Sequence, residues 1–252
     1  AEGALSLAFQ PLLDISSRKV VSCEALARWE HPEFGPVSPA TFIPLAEEMG
    51  LISDITEWVI AEAASQCSQW PGQVGVAVNV SARDFRAIDL QKVVDDALSR
   101  TGLPPSRLEI EVTETAVIEE RDNASHVLTG LAAKGVGIAL DDFGTGYSSL
   151  SYLSALPFSK LKIDRSFVAD IAEQPRALRL LTNVARLGRD LDLVVVAEGV
   201  ETEAQLNAMV EHTPIQQVQG YLFSRPLPQR DIAELIARLN GSAVVQTKRR
   251  LG

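Results

Sequence analysis

The sequence predicts a single α/β domain of the (β/α)8, TIM-like barrel type, with one antiparallel strand near the N-terminus. Three observations support this fold class. Strand-like and helix-like segments alternate, glycines and prolines fall at their boundaries, and 252 residues is the usual length of such a barrel. The alternation by itself does not show that the sheet closes on itself. A doubly wound open sheet is therefore the alternative.

The N-terminal part of the chain is predicted to begin with an antiparallel hairpin. Its strands cover residues 5–13 and 20–29, and the connection between them is too short for a crossover helix. A helix then begins after the N-cap residue Ser38. A longer amphipathic helix covers residues 51–70 and ends before Pro71.

From residue 74 onward, strands and helices alternate regularly. The predicted strands cover residues 74–81, 108–114, 137–142, 160–164, 193–198 and 218–223. The predicted helices cover residues 90–101, 124–134, 150–156, 177–191, 203–211 and 229–239. We therefore assign residues 1–240 to one barrel and expect residues 241–252 to form a disordered tail.

Composition and charge limit the partners of the chain. The formal net charge of −10 at pH 7 argues against a nucleic-acid polymer or a membrane surface as a partner, because both are anionic. The same charge is compatible with a small anionic ligand held through metal ions. No stretch is apolar enough to span a membrane, and the N-terminus lacks a signal-peptide pattern. We therefore expect a cytoplasmic chain without direct membrane contact, or the cytoplasmic domain of a larger, membrane-anchored protein.

Polar side chains recur at the carboxyl ends of the predicted strands, where the active site of both candidate folds lies. They are Glu24, Asn79, Glu111, Asp141, Asp142, Lys162, Glu198 and Gln219. Each has a structural explanation when taken alone; Glu111 and Lys162, for example, could form a buried ion pair. Their repetition at one end of successive strands indicates a shared site instead.

The residue types in this set indicate a metal site for hard cations. Carboxylates and an amide oxygen, without histidine or cysteine, suit Mg²⁺ or Mn²⁺. Several carboxylates with one centrally placed aspartate could bridge two ions, an arrangement that supports in-line displacement at phosphorus. Lys162 would contact a phosphate oxygen or the attacking water. Phosphate-ester hydrolysis is the leading chemistry, and an enolate-forming metal enzyme with Lys162 as its base is the competitor.

Short motifs follow one another in a fixed order through nearly the whole chain. They are Glu24-Ala25-Leu26 with Arg28-Trp29, Asn79-Val80-Ser81, Glu111-Val112-Thr113-Glu114, Asp141-Asp142-Phe143-Gly144-Thr145-Gly146, Lys162-Ile163-Asp164, Ala197-Glu198-Gly199-Val200-Glu201 and Gln219-Gly220-Tyr221-Leu222-Phe223. This ordered set resembles the EAL family of cyclic di-GMP phosphodiesterases. The resemblance implies a barrel with one antiparallel strand and the hydrolysis of cyclic di-GMP to linear pGpG.

The resemblance also implies roles for individual residues. One metal ion would be held by Glu24, Asn79, Glu111 and Asp141, and a second by Asp141 and Asp142 with waters. Both ions would be Mg²⁺ or Mn²⁺, with Ca²⁺ as an inhibitor. The catalytic residues would be Glu24, Lys162, which orients the attacking water, and Glu198, which is metal-linked or base-like. The substrate-binding residues would be Gln10, Leu26, Arg28, Asn79, Glu201 and Gln219.

A regulatory loop and a set of partners are implied in the same way. Glu114 would anchor the loop formed by residues 142–149, which in the family links the metal site to a dimer interface; its key residues would be Phe143, Gly144, Thr145 and Gly146. We therefore expect a homodimer that binds cyclic di-GMP, with an upstream GGDEF or sensory domain in the full-length protein. The alternative function is a catalytically silent cyclic di-GMP receptor. A metal-dependent lyase or isomerase on the same barrel is a third.

Overall fold

The computed structural model describes residues 5–144 and 153–249, and their strands form one sheet that closes into a barrel. The strands are β1 (Leu5–Asp14), β2 (Val20–His31), β3 (Gly35–Val37), β4 (Gly75–Val80), β5 (Leu108–Thr113), β6 (Gly137–Phe143), β7 (Lys160–Ile163), β8 (Val194–Ala197), β9 (Gln217–Gln219) and β10 (Leu227–Pro228). Within the described residues, 8 strands form the closed ring, while β3 and β10 pair only with β2 and β1. The predicted TIM-like barrel is confirmed, and the open-sheet alternative is wrong.

The first strand runs against both of its neighbours and closes the ring. β1 pairs antiparallel with β2, with Gln10 opposite Glu24, and antiparallel with β9. The turn after β1 reverses the chain at once, because Asp14 accepts hydrogen bonds from the hydroxyl groups of Ser16 and Ser17. The other ring strands are parallel to one another. Their carboxyl ends therefore meet at one end of the barrel.

Helices lie between most of the parallel strands, as the alternation predicts. They are α1 (Pro39–Glu48), α2 (Ile52–Ser68), α3 (Asp84–Ala87), α4 (Leu90–Thr101), α5 (Glu114–Glu119), α6 (Arg121–Ala133), α7 (Pro175–Asp190), α8 (Glu203–His212) and α9 (Gln229–Arg249). The short α3 and α5 are not predicted from the sequence. The predicted helix at residues 150–156 falls largely outside the described residues. None of the helices found in the described part of the chain is both long and apolar enough to cross a bilayer.

The last helix is longer than the sequence analysis expects. α9 continues beyond residue 239 to Arg249, so the backbone is helical over much of the segment that is expected to be a disordered tail. Asn240 ties the helix to the barrel, since its side chain accepts a hydrogen bond from the Val20 amide and donates one to the Val20 carbonyl.

The two faces of the barrel wall have different compositions. The outward face packs against the helices in the hydrophobic core; in β4 it presents Val76, Val78 and Val80, all buried. The inward face of such barrels usually carries bulky branched side chains. Here small residues, such as Ala77 and Ala139, alternate on that face with charged ones. The interior therefore has room for a polar cluster at the carboxyl ends of the strands.

Candidate active site

Lys162 lies at the centre of the polar cluster, with only 1% of its side chain exposed. Its Nζ is 2.9 Å from Glu111 Oε2, 3.1 Å from Asp141 Oδ1 and 2.8 Å from Glu198 Oε1. The Oε2 atom of Glu24 is slightly farther away, at 3.8 Å. These residues come from β2, β5, β6, β7 and the position directly after β8, so the structure brings together side chains that the sequence analysis identifies at separate strand ends.

The electrostatics of this cluster are dominated by burial and by an excess of carboxylates. Burial alone would lower the pKa of Lys162, but Asp141, Glu111 and Glu198 together raise it well above its usual value. Burial raises the pKa of Glu111 well above its usual value, and Lys162 offsets only part of that rise. Burial also raises the pKa of Glu198 to about 8. A divalent cation would relieve this excess of negative charge.

Glu24 is held in place by two amide side chains. Asn79 Nδ2 donates a hydrogen bond of 2.8 Å to Glu24 Oε1, and Gln219 Nε2 donates one of 2.7 Å to Glu24 Oε2. Burial would raise the pKa of Glu24, but Lys162 and these hydrogen bonds outweigh burial and lower it. Glu24 is therefore an oriented carboxylate that stays ionised.

The acidic residues fall into two groups that share one member. Within the described residues, carboxylate oxygens of Glu24, Glu111 and Asp141 lie within 4.8 Å of one another, and so do those of Asp141, Asp142 and Glu198. The buried Oε2 of Glu111 accepts no hydrogen bond from the described residues, so its approach to Lys162 is an ion pair alone. An oxygen-only donor set with a shared carboxylate fits two hard divalent cations.

The backbone at the end of β6 explains how two consecutive aspartates serve one site. Successive side chains of a regular strand point to opposite faces. Asp142 instead adopts a left-handed conformation with φ of 53°, and the pairing of β6 with β7 shifts register between Leu140 and Phe143. The Asp142 amide also donates a hydrogen bond of 2.9 Å to Asp141 Oδ1. The strand thus ends in a local irregularity that turns both carboxylates toward the cluster.

Two cavities flank the cluster, and together they contain the predicted substrate-binding residues. One has a volume of about 510 Å³, and the predicted residues in its lining are Leu26, Arg28 and Asn79. The other has a volume of about 380 Å³ and is lined in part by Gln10, Leu26, Glu201 and Gln219. Leu26 borders both cavities, and the second cavity also contains the acidic residues Glu24, Asp141, Asp142 and Glu198.

Three polar side chains that the sequence analysis does not assign to the site also line the second cavity. They are Asp164, Arg165 and Tyr221. The ring of Tyr221 is half exposed and lies 4.5 Å from the guanidinium carbon of Arg225. The first and last of the three belong to motifs that the sequence analysis quotes, and membership of these motifs is the signal that the sequence offers.

The predicted regulatory loop is only partly within the described residues. Phe143 is buried, and Gly144 has φ of 98° and packs so closely on the Phe167 ring that a Cβ atom would overlap it. Glu114, the first residue of α5, is buried. Thr145 and Gly146 lie outside the described residues. Anchoring of the loop by Glu114 therefore stays a prediction.

The chain is similar to cyclic di-GMP signalling proteins over most of its length. The family model described as "EAL domain" matches residues 1–226. The bifunctional diguanylate cyclase/cyclic di-GMP phosphodiesterase MucR of Pseudomonas aeruginosa is 43% identical over 237 residues, which are 92% of this chain and 34% of MucR. The cyclic di-GMP phosphodiesterase NbdA of the same organism is 41% identical over 236 residues, which are 92% of this chain and 30% of NbdA.

A solved structure shows the same fold. The PaMucR phosphodiesterase in its c-di-GMP complex has a TM-score of 0.85 and 43% sequence identity to this chain, and the match covers 91% of this chain and 94% of that one. The chain spans only about a third of the length of the curated relatives MucR and NbdA. The order of the motifs, the closed barrel and the match over residues 1–226 agree with one another. The chain therefore belongs to the EAL domain family.

Proposed function

We propose that the chain is a metal-dependent phosphodiesterase that hydrolyses cyclic di-GMP to linear pGpG. The observation that carries this proposal is the pair of carboxylate groups that share Asp141, set around a buried Lys162 at the mouth of the barrel. The names of the relatives MucR and NbdA support the substrate, as does the c-di-GMP bound in the PaMucR structure. Among metal enzymes on this barrel, only a phosphodiesterase accounts for both the two carboxylate groups and the substrate named for the relatives.

The candidate metal ligands are the carboxylates of the two groups apart from Glu198, together with Asn79, whose side chain contacts Glu24. We assign Glu24, Asn79, Glu111 and Asp141 to one ion and Asp141 with Asp142 to the other. Bound Mg²⁺ or Mn²⁺ would polarise the phosphodiester and lower the pKa of a water molecule. Ca²⁺ is larger and accepts irregular coordination, so it should occupy the site without supporting turnover.

The protein groups around the metal centre supply proton transfer and orientation. Glu198, once it is ionised, would accept a proton from an attacking water. Lys162, 2.8 Å from Glu198, would orient that water through its ammonium group. The water oxygen attacks phosphorus, the bond from phosphorus to the ribose 3′-oxygen breaks, and the 3′-oxygen takes up a proton. The product carries a 5′-phosphate, as pGpG does.

The two cavities give the substrate a natural orientation. A cyclic dinucleotide has two bases on opposite sides of its phosphate-sugar ring, and Leu26 lines both of the cavities of about 510 Å³ and 380 Å³. We assign one base to each cavity, with Arg28 in the first and Gln10, Glu201 and Gln219 in the second. The scissile phosphate would then lie over the carboxylates.

We further propose that the chain acts as one domain of a larger cytoplasmic signalling protein and that it forms a homodimer. The short span of this chain within MucR and NbdA supports the first part, because those proteins contain additional segments. An upstream GGDEF or sensory domain would regulate the barrel. Sedimentation velocity of the purified chain tests the dimer, and a single species with the mass of one chain would contradict it.

Turnover of cyclic di-GMP by the purified chain tests the proposed function. We expect a pGpG peak on chromatography with Mg²⁺ or Mn²⁺ and none with Ca²⁺. Glu24→Gln should lower the rate by about 10²-fold or more, since it removes a ligand charge from the metal site. Glu57→Gln, at an exposed position on α2, is the matched control and should keep the wild-type rate. Substrate that binds but stays intact with Mn²⁺ would contradict the enzyme and favour the silent receptor.

A further inference from the structure

A second buried ion pair lies in the barrel directly below the candidate metal centre. Lys160 Nζ on β7 is 2.8 Å from Glu109 Oε1 on β5, and the two side chains are only 10% and 14% exposed. Neither residue belongs to the Lys162 cluster or lines either of the cavities beside it. We call this pair the lower rung.

The lower rung repeats the geometry of the pair above it. Glu111 and Lys162, which we call the upper rung, come from the same strands two residues farther along, with 2.9 Å between their charged atoms. Both rungs cross over β6. The register places Glu109 beside Gly137, where a Cβ atom would lie 3.4 Å from the Glu109 carboxylate, and Glu111 beside Ala139. Small residues on β6 thus give both rungs their space.

The charges of the two rungs are close enough to influence each other. Two residues along a strand correspond to about 7 Å, and charges in a protein interior are screened far less than charges in water. As long as Glu109 and Lys160 are paired, the lower rung adds no net charge beneath the metal centre. Replacing one partner with a neutral residue would leave a single charge there. Ion pairs at such positions contribute little net stability, which leaves their presence to be explained by another role.

We propose that Glu109 and Lys160 are positioning residues for the candidate metal centre, because their paired charges set how strongly Glu111 and its neighbours attract a divalent cation. This inference rests on the proposed function for the identity of the cation. It predicts the direction in which the affinity for the metal ion changes in each variant. Loss of Glu109 leaves a cation below the centre and weakens metal binding, whereas loss of Lys160 leaves an anion and strengthens it.

Calorimetric titration of the full chain with Mn²⁺, without substrate, tests this prediction. We expect Glu109→Gln to raise the Kd for Mn²⁺ by about tenfold or more, and Lys160→Met to lower it by about threefold or more. The double variant should return to within about threefold of wild type, because both charges are gone. The control is the exposed pair of Lys134 with Asp95, which is equally short at 2.7 Å. Its two neutral variants should leave the Kd unchanged.

If Glu109 and Lys160 had a purely structural role, the Kd values of the variants would follow a different pattern. Loosening of the barrel would change the Kd in the same direction in both single variants, and the double variant would be the worst of the three. That result would overturn the proposal, and so would unchanged Kd values in all variants.

A second measurement on the metal-free protein separates this inference from the proposed function. Urea unfolding of Lys160→Met, Glu111→Gln and the double variant gives the coupling energy between the rungs. We expect Glu111→Gln to be less destabilising in the Lys160→Met background, where Glu109 repels Glu111. If Lys160→Met does not fold, Glu109→Gln takes its place and the coupling should have the opposite sign. Additive effects would overturn the inference, whereas wild-type protein that fails to bind Mn²⁺ would overturn the proposed function.

Discussion

Lys162 shows how one residue controls the electrostatics of the candidate site. Its ammonium group is buried and lies between 2.8 Å and 3.1 Å from the carboxylates of Glu111, Asp141 and Glu198. A buried ion pair contributes little net stability, but removing one of its partners is costly because the other charge stays buried. The lysine therefore keeps the metal-free cluster stable and leaves enough negative charge to bind a cation.

Substitution of Lys162 tests this view. We expect Lys162→Met to lower the free energy of unfolding of the metal-free protein by about 3–5 kcal/mol, because its carboxylate partners lose their counter-charge. Saturating Mn²⁺ should restore part of the loss by neutralising the same carboxylates. Urea unfolding with and without Mn²⁺ measures both effects, with Lys134→Met at the exposed pair as the control. A loss that Mn²⁺ does not reduce would argue against the metal site.

Glu198 leads to a prediction about pH. Burial raises the pKa of this carboxyl from 4.5 to about 8 in the folded protein. Between these values the folded state keeps a proton that the unfolded state has lost, so the free energy of unfolding falls as pH rises. Glu198→Gln removes this contribution, and the metal-free variant should lose less stability than wild type between about pH 5.5 and pH 7.5. Urea unfolding measures the slope, and Glu57→Gln should keep the wild-type value. Identical slopes for Glu198→Gln and wild type would refute the raised pKa.

At the scale of the element, the irregular end of β6 is what allows the strand to contribute two carboxylates to the candidate site. Asp142 has a positive φ, which is uncommon outside glycine and is tolerated by aspartate and asparagine. Burial raises the pKa of Asp142, and the adjacent charge of Asp141 adds to the rise. Aspartate at position 142 therefore suits the backbone conformation. Its negative charge, however, is unfavourable there, because the side chain is partly buried and lies next to Asp141.

Asp142→Asn separates the charge from the backbone conformation. Asparagine accepts the same φ, so stability without metal should stay equal to wild type or rise, because repulsion from Asp141 is removed. Turnover of cyclic di-GMP should fall by about 10²-fold or more, because the second ion loses a charged ligand. Asp192, an exposed aspartate with φ of 60°, supplies the control: Asp192→Asn should keep the wild-type rate. Thermal unfolding measures the stability, and a rate assay measures the turnover. Wild-type turnover in Asp142→Asn would exclude Asp142 as a metal ligand.

Local patterns predict individual elements well, whereas pairings between distant parts of the chain are not predicted. Residues 90–101 are predicted as a helix and form α4, whose N-cap Asp89 accepts a hydrogen bond from the Lys92 amide. Closure of the barrel depends on the pairing of β1 with β9, for example Leu12 with Gln219, and no local pattern specifies it. The sequence does not predict the ion pair of the lower rung, for a related reason. Alternation puts Lys160 on the same face as Lys162, but only the closed ring shows that this face is the interior.

At the scale of the whole molecule, the candidate site is predicted more completely than the space around it. The acidic residues converge because the parallel strands of a barrel all end on the same side, so their positions at strand ends are sufficient to identify them. The walls of the two cavities come from segments after the strands, and they include Arg165 and Tyr221. The course of such segments depends on packing across the molecule, which the sequence pattern does not contain.

The inverted direction of β1 has a consequence for communication with the rest of a longer protein. In a regular barrel of this type the first strand starts at the end opposite the active site. Here β1 is antiparallel, and Leu5 at its beginning is paired with Trp29, which lies between Glu24 and the carboxyl end of β2. A polypeptide tether that leads into Leu5 therefore arrives on the catalytic side. The point of attachment of such a tether and the candidate site therefore share one end of the barrel.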